Sequence, residues 1–314
     1  MPSLCLTHPA RYRKDVTFMT QRKIFGVCLV KNEEHFIGWA LNNVVDFCDE
    51  ILVMNNRSQD RTGAILDTLA AKHDHLRIIE VTDANRTHAH VEHLAGTNTW
   101  VFGVDGDEIY DPVGLARLRP RILDGEFDSY WRLYGHAIHA RELDFADGLA
   151  RGYTQPAARS ITKLYNFAGI SSWHQPKHER LHGKDMVFRP GFHWDHAYDF
   201  WRHTTWDNSD CRCLHLCFGP RSSFDAKGDP RDNPVDVKKA GRIVKRLSTG
   251  MLRALDPSYD EKKNYKYRHY ALGAVVSGSI DGFGRPTELL EIASHGAEVE
   301  AMFTEAAWLP EALR

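Results

Sequence analysis

Short apolar runs alternate with amphipathic segments through the first third of the chain, and this alternation limits the fold more than any other feature. The apolar runs are Ile24–Val30, Ile51–Met54, Leu76–Val81 and Trp100–Val104. Runs of this length are typical of strands that are buried on both faces. Strands that alternate with helices are joined by right-handed crossovers and lie parallel in one sheet. The sequence therefore predicts an α/β fold with a mostly parallel sheet flanked by helices.

Helical spacing fills the segments between these runs. Apolar residues recur every three or four positions over residues 36–48, which predicts an amphipathic helix. A second helix is predicted over residues 64–69, and a third between the third and fourth strands. Aromatic and alternating stretches at residues 129–140 and 161–167 predict antiparallel or mixed strands added to the first unit.

Composition narrows the class of protein. The formal net charge of −2 argues against a generally cationic nucleic-acid coat. No run approaches the roughly 18 apolar residues of a membrane helix, so no transmembrane segment is predicted, and the first residues lack the apolar stretch of a secretory signal. Three of the six cysteines fall within seven residues, 211–217, instead of forming a disulfide framework. A reduced, cytoplasmic protein fits best.

Three acids occur within four residues at the end of the fourth predicted strand, in Val104-Asp105-Gly106-Asp107-Glu108. In an open α/β sheet, ligands bind at the carboxyl ends of the strands. Two carboxylates that flank a glycine can share one hard divalent cation, and Mg²⁺ or Mn²⁺ held in this way completes its shell with a substrate phosphate. The pattern indicates handling of a diphosphate. A polar turn that closes a strand is the alternative interpretation.

Four ordered motifs together resemble glycosyltransferase family 2, and more closely its bacterial branch with V-K-N-E and D-x-D-E motifs. They are Val30-Lys31-Asn32-Glu33-Glu34, Asn55-Asn56-Arg57-Ser58-Gln59-Asp60-Arg61-Thr62, the Asp105 motif above, and Lys163-Leu164-Tyr165-Asn166-Phe167 followed by Trp173 and His178-Glu179. The resemblance implies a GT-A fold, that of nucleotide-diphospho-sugar transferases. We then expect a flexible leader over residues 1–21, a GT-A catalytic domain over 22–222 and a helical C-terminal extension over 223–314.

The same resemblance implies a metal-dependent transfer of a sugar from a nucleotide-sugar donor, with inversion at the sugar carbon and Mn²⁺ or Mg²⁺ as cofactor. The second motif departs from the family, which has an aspartate where this chain has Asn55 and Asn56, so the nucleotide stays open. The acceptor can be a glycan, a lipid-linked molecule, a protein or a nucleic acid. The implied nucleotide-sugar contacts are Lys31, Asn32, Glu33, Asn55, Asn56, Asp60 and Asp105, and the implied metal ligands are Asp105 and Asp107.

A carboxylate is needed to take the proton from the acceptor hydroxyl. Glu179, next to His178, and Asp195, in His193-Trp194-Asp195-His196, are the candidates. His196, in a segment that resembles the family's H-x-G-aromatic element, is the candidate third metal ligand, with His193 as an alternative.

Two other functions remain open. His178-Glu179-Arg180-Leu181-His182 spells H-E-x-x-H, the pattern of zinc metallopeptidases, in which one helix face carries both histidines. Pro176 and Gly183 leave little room for such a helix. A non-catalytic nucleotide- or carbohydrate-binding module is the second alternative.

Two further clusters have less specific interpretations. Cys211, Cys213, His215 and Cys217 alternate along a predicted strand, where ligands lie in a line and cannot close a zinc tetrahedron, which favours structural cysteines on one strand face. Residues 221–268 carry 13 Lys or Arg against 7 Asp or Glu. They form either a solvated helical face or a surface for an anionic acceptor.

Overall fold

The computed structural model describes residues 21–154, 162–173, 186–223, 270–286 and 293–304. These residues form a seven-stranded sheet, a five-stranded sheet and a two-stranded ribbon. The strands, in chain order, are β1 (Lys23–Val30), β2 (Glu50–Asn55), β3 (Leu76–Glu80), β4 (Thr99–Val104), β5 (Glu108–Tyr110), β6 (Arg132–Tyr134), β7 (His136–Asp144), β8 (Leu149–Tyr153), β9 (Lys163–Asn166), β10 (Ile170–Trp173), β11 (Met186–Phe188), β12 (Ala197–Asp199), β13 (Arg212–His215) and β14 (Val276–Ser279). The α-helices are α1 (Ile37–Asn42), α2 (Thr62–Lys72), α3 (Pro112–Leu123), α4 (Phe200–His203) and α5 (Ala293–Thr304).

The predicted parallel sheet is the central part of the seven-stranded sheet, whose order is β12-β6-β9-β4-β1-β2-β3. Strands β3, β2, β1 and β4 are all parallel, with Val27 opposite Leu52 on one side and Gly103 on the other. Every residue of β4 is buried, as its continuous apolar sequence predicts. The carboxyl ends of β1, β2 and β4 therefore open onto one edge of the sheet. This arrangement confirms the predicted α/β class.

The other three strands of this sheet come from later in the chain. Strand β9 runs antiparallel to β4, β6 runs antiparallel to β9, and β12 runs parallel to β6. The mixed strands predicted beyond residue 128 are therefore present. They extend the sheet on the β4 side.

The five-stranded sheet, in the order β14-β8-β7-β13-β5, lies at the carboxyl end of β4, because β5 begins directly after the acidic loop. Strand β13 pairs antiparallel with β5 and parallel with β7. Part of the expected C-terminal extension belongs here, since β14 pairs with β8. A second core cluster joins α1 and α5 to this sheet, and its members include Phe36, Trp39, Ile138, Leu214, Phe283, Val299 and Phe303.

The segment between β3 and β4 differs from the prediction. It forms 3-10 turns at Ala84–His90 and Glu92–Leu94, where the sequence predicts an α-helix, and that prediction is wrong. One reason is local: the hydroxyl of Thr87 donates to the carbonyl oxygen of Ala84, at 2.9 Å. Side chains that bond to nearby carbonyls compete with the α-helical pattern.

No helix within the described ranges combines the length and the apolar composition that a membrane crossing requires. The first 20 residues, the H-E-x-x-H segment and almost all of the basic region lie outside the described residues.

Candidate functional site

Two acidic loops meet at the carboxyl edge of the parallel strands. Glu33 follows β1, and Asp105 and Asp107 follow β4, which places all three acids at the carboxyl edge of two neighbouring parallel strands. Asp107 and Glu33 are almost completely buried, whereas the side chain of Asp105 is 21% exposed. Gly106 allows this approach, because a Cβ atom at that position would lie 1.9 Å from Oε2 of Glu33. The exposed face of Asp105 is the side from which a ligand can reach the carboxylates.

Lys163 of β9 holds two acids of the same loop. Its Nζ lies 2.9 Å from Oδ2 of Asp105 and 3.1 Å from Oε1 of Glu108, and the lysine is buried. Burial raises the pKa of Glu108 to about 8, because the charge of Lys163 offsets only part of the burial and of the repulsion from Asp105 and Asp107. The strand register explains the contact, since Lys163 lies opposite Gly103 of β4. Lys163 therefore fixes the Asp105 side chain at the sheet edge.

Arg221 contacts the other side of the acidic site. Its guanidinium pairs with Asp107 through Nη2, and its Nη1 lies 3.3 Å from Oε1 of Glu33. Its backbone oxygen accepts from the N–H of His35 at 3.0 Å. In the sequence, Arg221 is simply the first residue of the basic region. The contact with Asp107 joins residues that lie more than a hundred positions apart and leaves no local signal in the sequence.

His215, the last residue of β13, brings an imidazole to Asp107. Its Nε2 is 3.7 Å from Oδ2 of Asp107. Burial lowers the pKa of His215 well below its usual range, although the charge of Asp107 opposes this, so the imidazole is neutral near pH 7. Its Nδ1 is 2.9 Å from Nδ1 of His139 in β7.

The structure corrects the predictions for Asp195 and His196. Both are exposed and directly precede β12, the outer strand of the seven-stranded sheet. Strand β12 is parallel to β4 and three strands away from it, which is roughly 14 Å at a spacing of about 4.8 Å. His196 therefore lies at the amino ends of these strands, and Asp105 follows the carboxyl end. Neither Asp195 nor His196 can reach Asp105, and the carboxylate of Asp195 pairs instead with His193, at 3.2 Å.

Glu179, the other candidate base, lies outside the described residues, as do His178 and His182. Its assignment stays a prediction.

Hydrogen bonds tie the loops after β1 and β2 together. The N–H of Asn32 donates to Oγ of Ser58 at 3.0 Å, and Oδ1 of Asn32 accepts from the N–H of Gln59 at 2.7 Å. Asn32 and Arg57 both have positive φ angles, 50° and 54°, which marks two tight turns side by side. The half-buried Lys31 and the buried Asn56 belong to the same pair of loops. The predicted nucleotide contacts of the two motifs are thus brought to one edge.

Two of these polar side chains already have partners within the fold. Asn55 donates through Nδ2 to Oε1 of Glu80 at 2.7 Å. Asp60 accepts from the N–H of Thr62 at 3.0 Å and from Oγ of Ser222 at 2.7 Å. Both side chains therefore position the loops, and a ligand at this place would share their remaining hydrogen-bonding capacity.

The part of the chain that carries these loops is similar to a known family. Residues 27–137 match the sequence model of Glycosyl transferase family 2. The matched range begins within β1 and ends within β7, so it includes Glu33, Asp105 and Asp107. The GT-A-like fold class expected from the sequence agrees with this match and with the sheet order.

Comparison with solved structures finds glucosyl-3-phosphoglycerate synthase from Mycobacterium tuberculosis. Its complex with Mn²⁺, UDP-glucose and phosphoglyceric acid is 19% identical, with 37% of this chain and 44% of that chain covered and a TM-score of 0.29. The values for its complex with Mg²⁺ and UDP are the same. A mycobacterial protein is 20% identical over 38% of this chain and 42% of that chain, also with a TM-score of 0.29. This chain thus spans less than half the length of these structures, and comparison with curated proteins finds no match.

The donor set of the acidic site suits a hard divalent cation. The acids at this edge, within the described residues, are Asp105, which is partly exposed, and Asp107 and Glu33, which are buried. Carboxylates are the protein ligands that Mg²⁺ and Mn²⁺ prefer. Lys163 and Arg221 hold these acids at two sides, so the carboxylates are positioned before a ligand arrives.

Proposed function

We propose that this protein is a glycosyltransferase that moves a sugar from a nucleotide-sugar donor to an acceptor hydroxyl, with Mn²⁺ or Mg²⁺ as cofactor. The observation that carries the proposal is the meeting of Asp105 and Asp107 with Glu33 at the carboxyl edge of the parallel strands. This edge lies within the range that matches Glycosyl transferase family 2. In α/β sheets it is the edge at which phosphate-bearing ligands bind.

Asp105 and Asp107 would hold the cation, which when bound offsets the negative charge that grows on the diphosphate as the sugar carbon leaves. Lys163 keeps the carboxylate of Asp105 at the strand end and adds a positive charge beside it. Gly106 lets the two acidic loops approach each other. Lys163 and Gly106 thus act by positioning the charged groups before the donor arrives.

The loops after β1 and β2 would receive the nucleotide. These loops carry Asn32, Asn56 and the partly exposed Lys31, and Glu33 lies in the first of them. The hydrogen bond from the N–H of Asn32 to Oγ of Ser58 holds the two loops together. An asparagine can both donate to and accept from a base edge, so Asn56 suits a base or ribose contact.

A base must take the proton from the acceptor hydroxyl, and Glu179 remains our candidate. Direct attack of that hydroxyl on the sugar carbon would invert the configuration, as the family resemblance implies. The acceptor class, whether a glycan, a lipid-linked molecule, a protein or a nucleic acid, stays open. The cytoplasmic location is part of the proposal, because three of the six cysteines fall within seven residues instead of being spread as a disulfide framework.

The proposal is tested by a screen of nucleotide-sugars against the purified chain with Mn²⁺, Mg²⁺ or chelator, read as donor hydrolysis and as thermal stabilisation. We expect one donor class to stabilise the protein only with the cation. Asp105→Asn and Asp107→Asn should lose this effect, and Asp195→Asn, at the opposite edge of the sheet, is the control that should keep it.

The same screen tests the alternatives. Donor binding without hydrolysis or transfer to any acceptor would indicate a binding module. Cation-independent binding, or an unchanged response in Asp107→Asn, would contradict the site. Stoichiometric zinc that His178→Gln and His182→Gln both release would favour the peptidase.

A further inference from the structure

Three metal-binding side chains converge at the end of β13. His139 and His215 each offer one ring nitrogen, Nδ1 or Nε2, and Cys217 offers Sγ. These three ligand atoms all lie within 4.8 Å of one another. All three residues are buried, with exposures of 0%, 5% and 1%. We refer to them as the histidine–cysteine cluster.

The strand register builds this cluster. His215 lies directly opposite His139 in the parallel pair formed by β13 and β7. Cys217 follows two positions later, in the turn after β13, and this turn brings its Sγ within 4.8 Å of the histidine ligand atoms. The sequence by itself predicts no zinc site within Cys211–Cys217, because ligands along one strand lie in a line. In the structure, His139 adds a ligand from the neighbouring strand β7, so the ligands no longer lie in one line. Cys211 and Cys213 pack in the main core and do not belong to the cluster.

We propose that the histidine–cysteine cluster binds a zinc ion through Nδ1 of His139, Nδ1 of His215 and Sγ of Cys217. Two imidazole nitrogens and a thiolate are a typical zinc donor set, and Mg²⁺ prefers six oxygens. With bonds of about 2.0–2.1 Å to nitrogen and about 2.3 Å to sulfur, tetrahedral ligand atoms lie roughly 3.3–3.6 Å apart. The two Nδ1 atoms are 2.9 Å apart, so a small side-chain movement admits the ion.

Zinc binding releases one proton from the histidine–cysteine cluster. The Nδ1 atoms of His139 and His215 lie at hydrogen-bond distance, so one carries hydrogen and the other accepts. Zinc needs both lone pairs, and the hydrogen then moves to Nε2 of the same ring. The thiol of Cys217 releases its proton to solvent when the Zn–S bond forms. No oxidant or reductant takes part.

The ion would also act on the acidic site. With Nδ1 of His215 on zinc, Nε2 carries hydrogen and faces Oδ2 of Asp107, 3.7 Å away. Zinc-bound histidines commonly donate their second N–H to a carboxylate, which fixes the ring and the carboxylate together. The cluster would therefore position Asp107 and is distinct from the proposed Mn²⁺ or Mg²⁺ site. Tyr270 closes it, with ring centres 4.8 Å from His139 and 4.9 Å from His215.

Co²⁺ is a suitable probe, because a tetrahedral cobalt–thiolate site has intense visible bands and a thiolate charge-transfer band in the near ultraviolet. The full chain is stripped with chelator and titrated with Co²⁺, and Zn²⁺ is then added as competitor. We expect one equivalent of Co²⁺ with both bands, displaced by Zn²⁺. Cys217→Ser should lose the charge-transfer band, and Cys217→Ser and His139→Gln should each weaken Zn²⁺ binding at least about 100-fold.

Two controls isolate the cluster. Cys213→Ser removes a buried thiol of the same strand that lies outside the cluster, and it should keep the cobalt spectrum. Asp105→Asn removes a ligand of the proposed Mn²⁺ or Mg²⁺ site and should also keep it. Circular dichroism of each metal-free variant establishes that it is folded.

The proposal is overturned if folded wild-type protein binds no Co²⁺ with a thiolate band, or if Cys217→Ser and His139→Gln bind Zn²⁺ as wild type does. It is also overturned if the only Co²⁺ bound is lost in Asp105→Asn. None of these results bears on sugar transfer, so the two proposals can fail separately.

Discussion

Arg221 pairs with the carboxylate of Asp107, the group that we propose as a metal ligand. The same guanidinium lies 3.3 Å from Glu33, and the side chains of Arg221, Asp107 and Glu33 are 11%, 2% and 4% exposed. A divalent cation on Asp107 would therefore compete with a side-chain cation for the same carboxylate, in surroundings that screen charge poorly.

Arg221→Gln should separate these two effects. Without the cation the variant should be less stable, because two buried acids lose the arginine that pairs with them, and breaking a buried ion pair costs about 3–5 kcal/mol. Mn²⁺ should then raise the unfolding temperature of the variant more than that of wild type, because repulsion between Arg221 and the ion is gone. Differential scanning calorimetry with and without Mn²⁺ measures both. Arg117→Gln, which breaks an exposed pair with Asp210, is the control, and equal Mn²⁺ shifts in all three proteins would contradict the competition.

Gly106→Ala tests the close approach of the two acidic loops. The added Cβ would meet Oε2 of Glu33 at 1.9 Å, so either the buried carboxylate of Glu33 or one of the two loops must move. We expect a loss of about 1–3 kcal/mol of stability, as for other overpacked sites, together with weaker Mn²⁺-dependent donor binding. Gly63→Ala is the matched control: Gly63 lies in α2, the nearest atom to its added Cβ would be Nδ2 of Asn55 at 4.0 Å, and the change should be neutral or stabilising. Denaturant unfolding and donor titration measure the two effects, and wild-type values for Gly106→Ala would disprove the contact.

Lys163→Met tests how much the buried lysine contributes to the stability of the acidic loop. At pH 9, above the Glu108 pKa of about 8, removing the charge leaves the buried, ionised carboxylate of Glu108 without its cation, which should cost about 3–5 kcal/mol in urea unfolding at that pH. Adding Glu108→Gln to this variant should restore much of the loss, because the buried negative charge is then absent. Lys23→Met, at an exposed pair with Glu50, should change stability by less than about 1 kcal/mol. A double variant no more stable than Lys163→Met would refute the pairing.

Glu34→Gln should change how stability depends on pH. Burial alone would raise the pKa of Glu34, but hydrogen bonds from Ser223 and Arg61 outweigh it and lower the pKa to about 2. A carboxyl with a lowered folded pKa stabilises the protein above its unfolded value of 4.5 and loses that contribution as the pH falls toward 2. The stability difference between wild type and Glu34→Gln should therefore shrink over this interval. Urea unfolding from pH 6 to pH 2 measures it, and a difference independent of pH would show that Glu34 does not act through its charge.

The elements of the parallel half follow from local sequence. The apolar runs that became β1, β2, β3 and β4, and the acids that follow β4, could be predicted because burial on both faces requires continuous apolar strands. Their order along the chain also places Glu33 and Asp105 at one edge, since parallel strands end on the same side. The expected helix between β3 and β4 could not be judged from spacing, because Thr87 bonds to the backbone there.

The partners of the acids were decided by tertiary structure alone. Lys163 reaches Asp105 from the antiparallel strand β9, and Arg221 reaches Asp107 from the segment that follows β13. Strand pairing between distant segments sets these contacts, and a sequence records residue types without the register that joins them. His196 shows the consequence: its neighbours suggested a metal ligand, yet the register of β12 puts it at the opposite edge, and His215 takes the place beside Asp107. The residue types that can do the chemistry are determined by the sequence, and their meeting is determined by the long-range pairing of the strands.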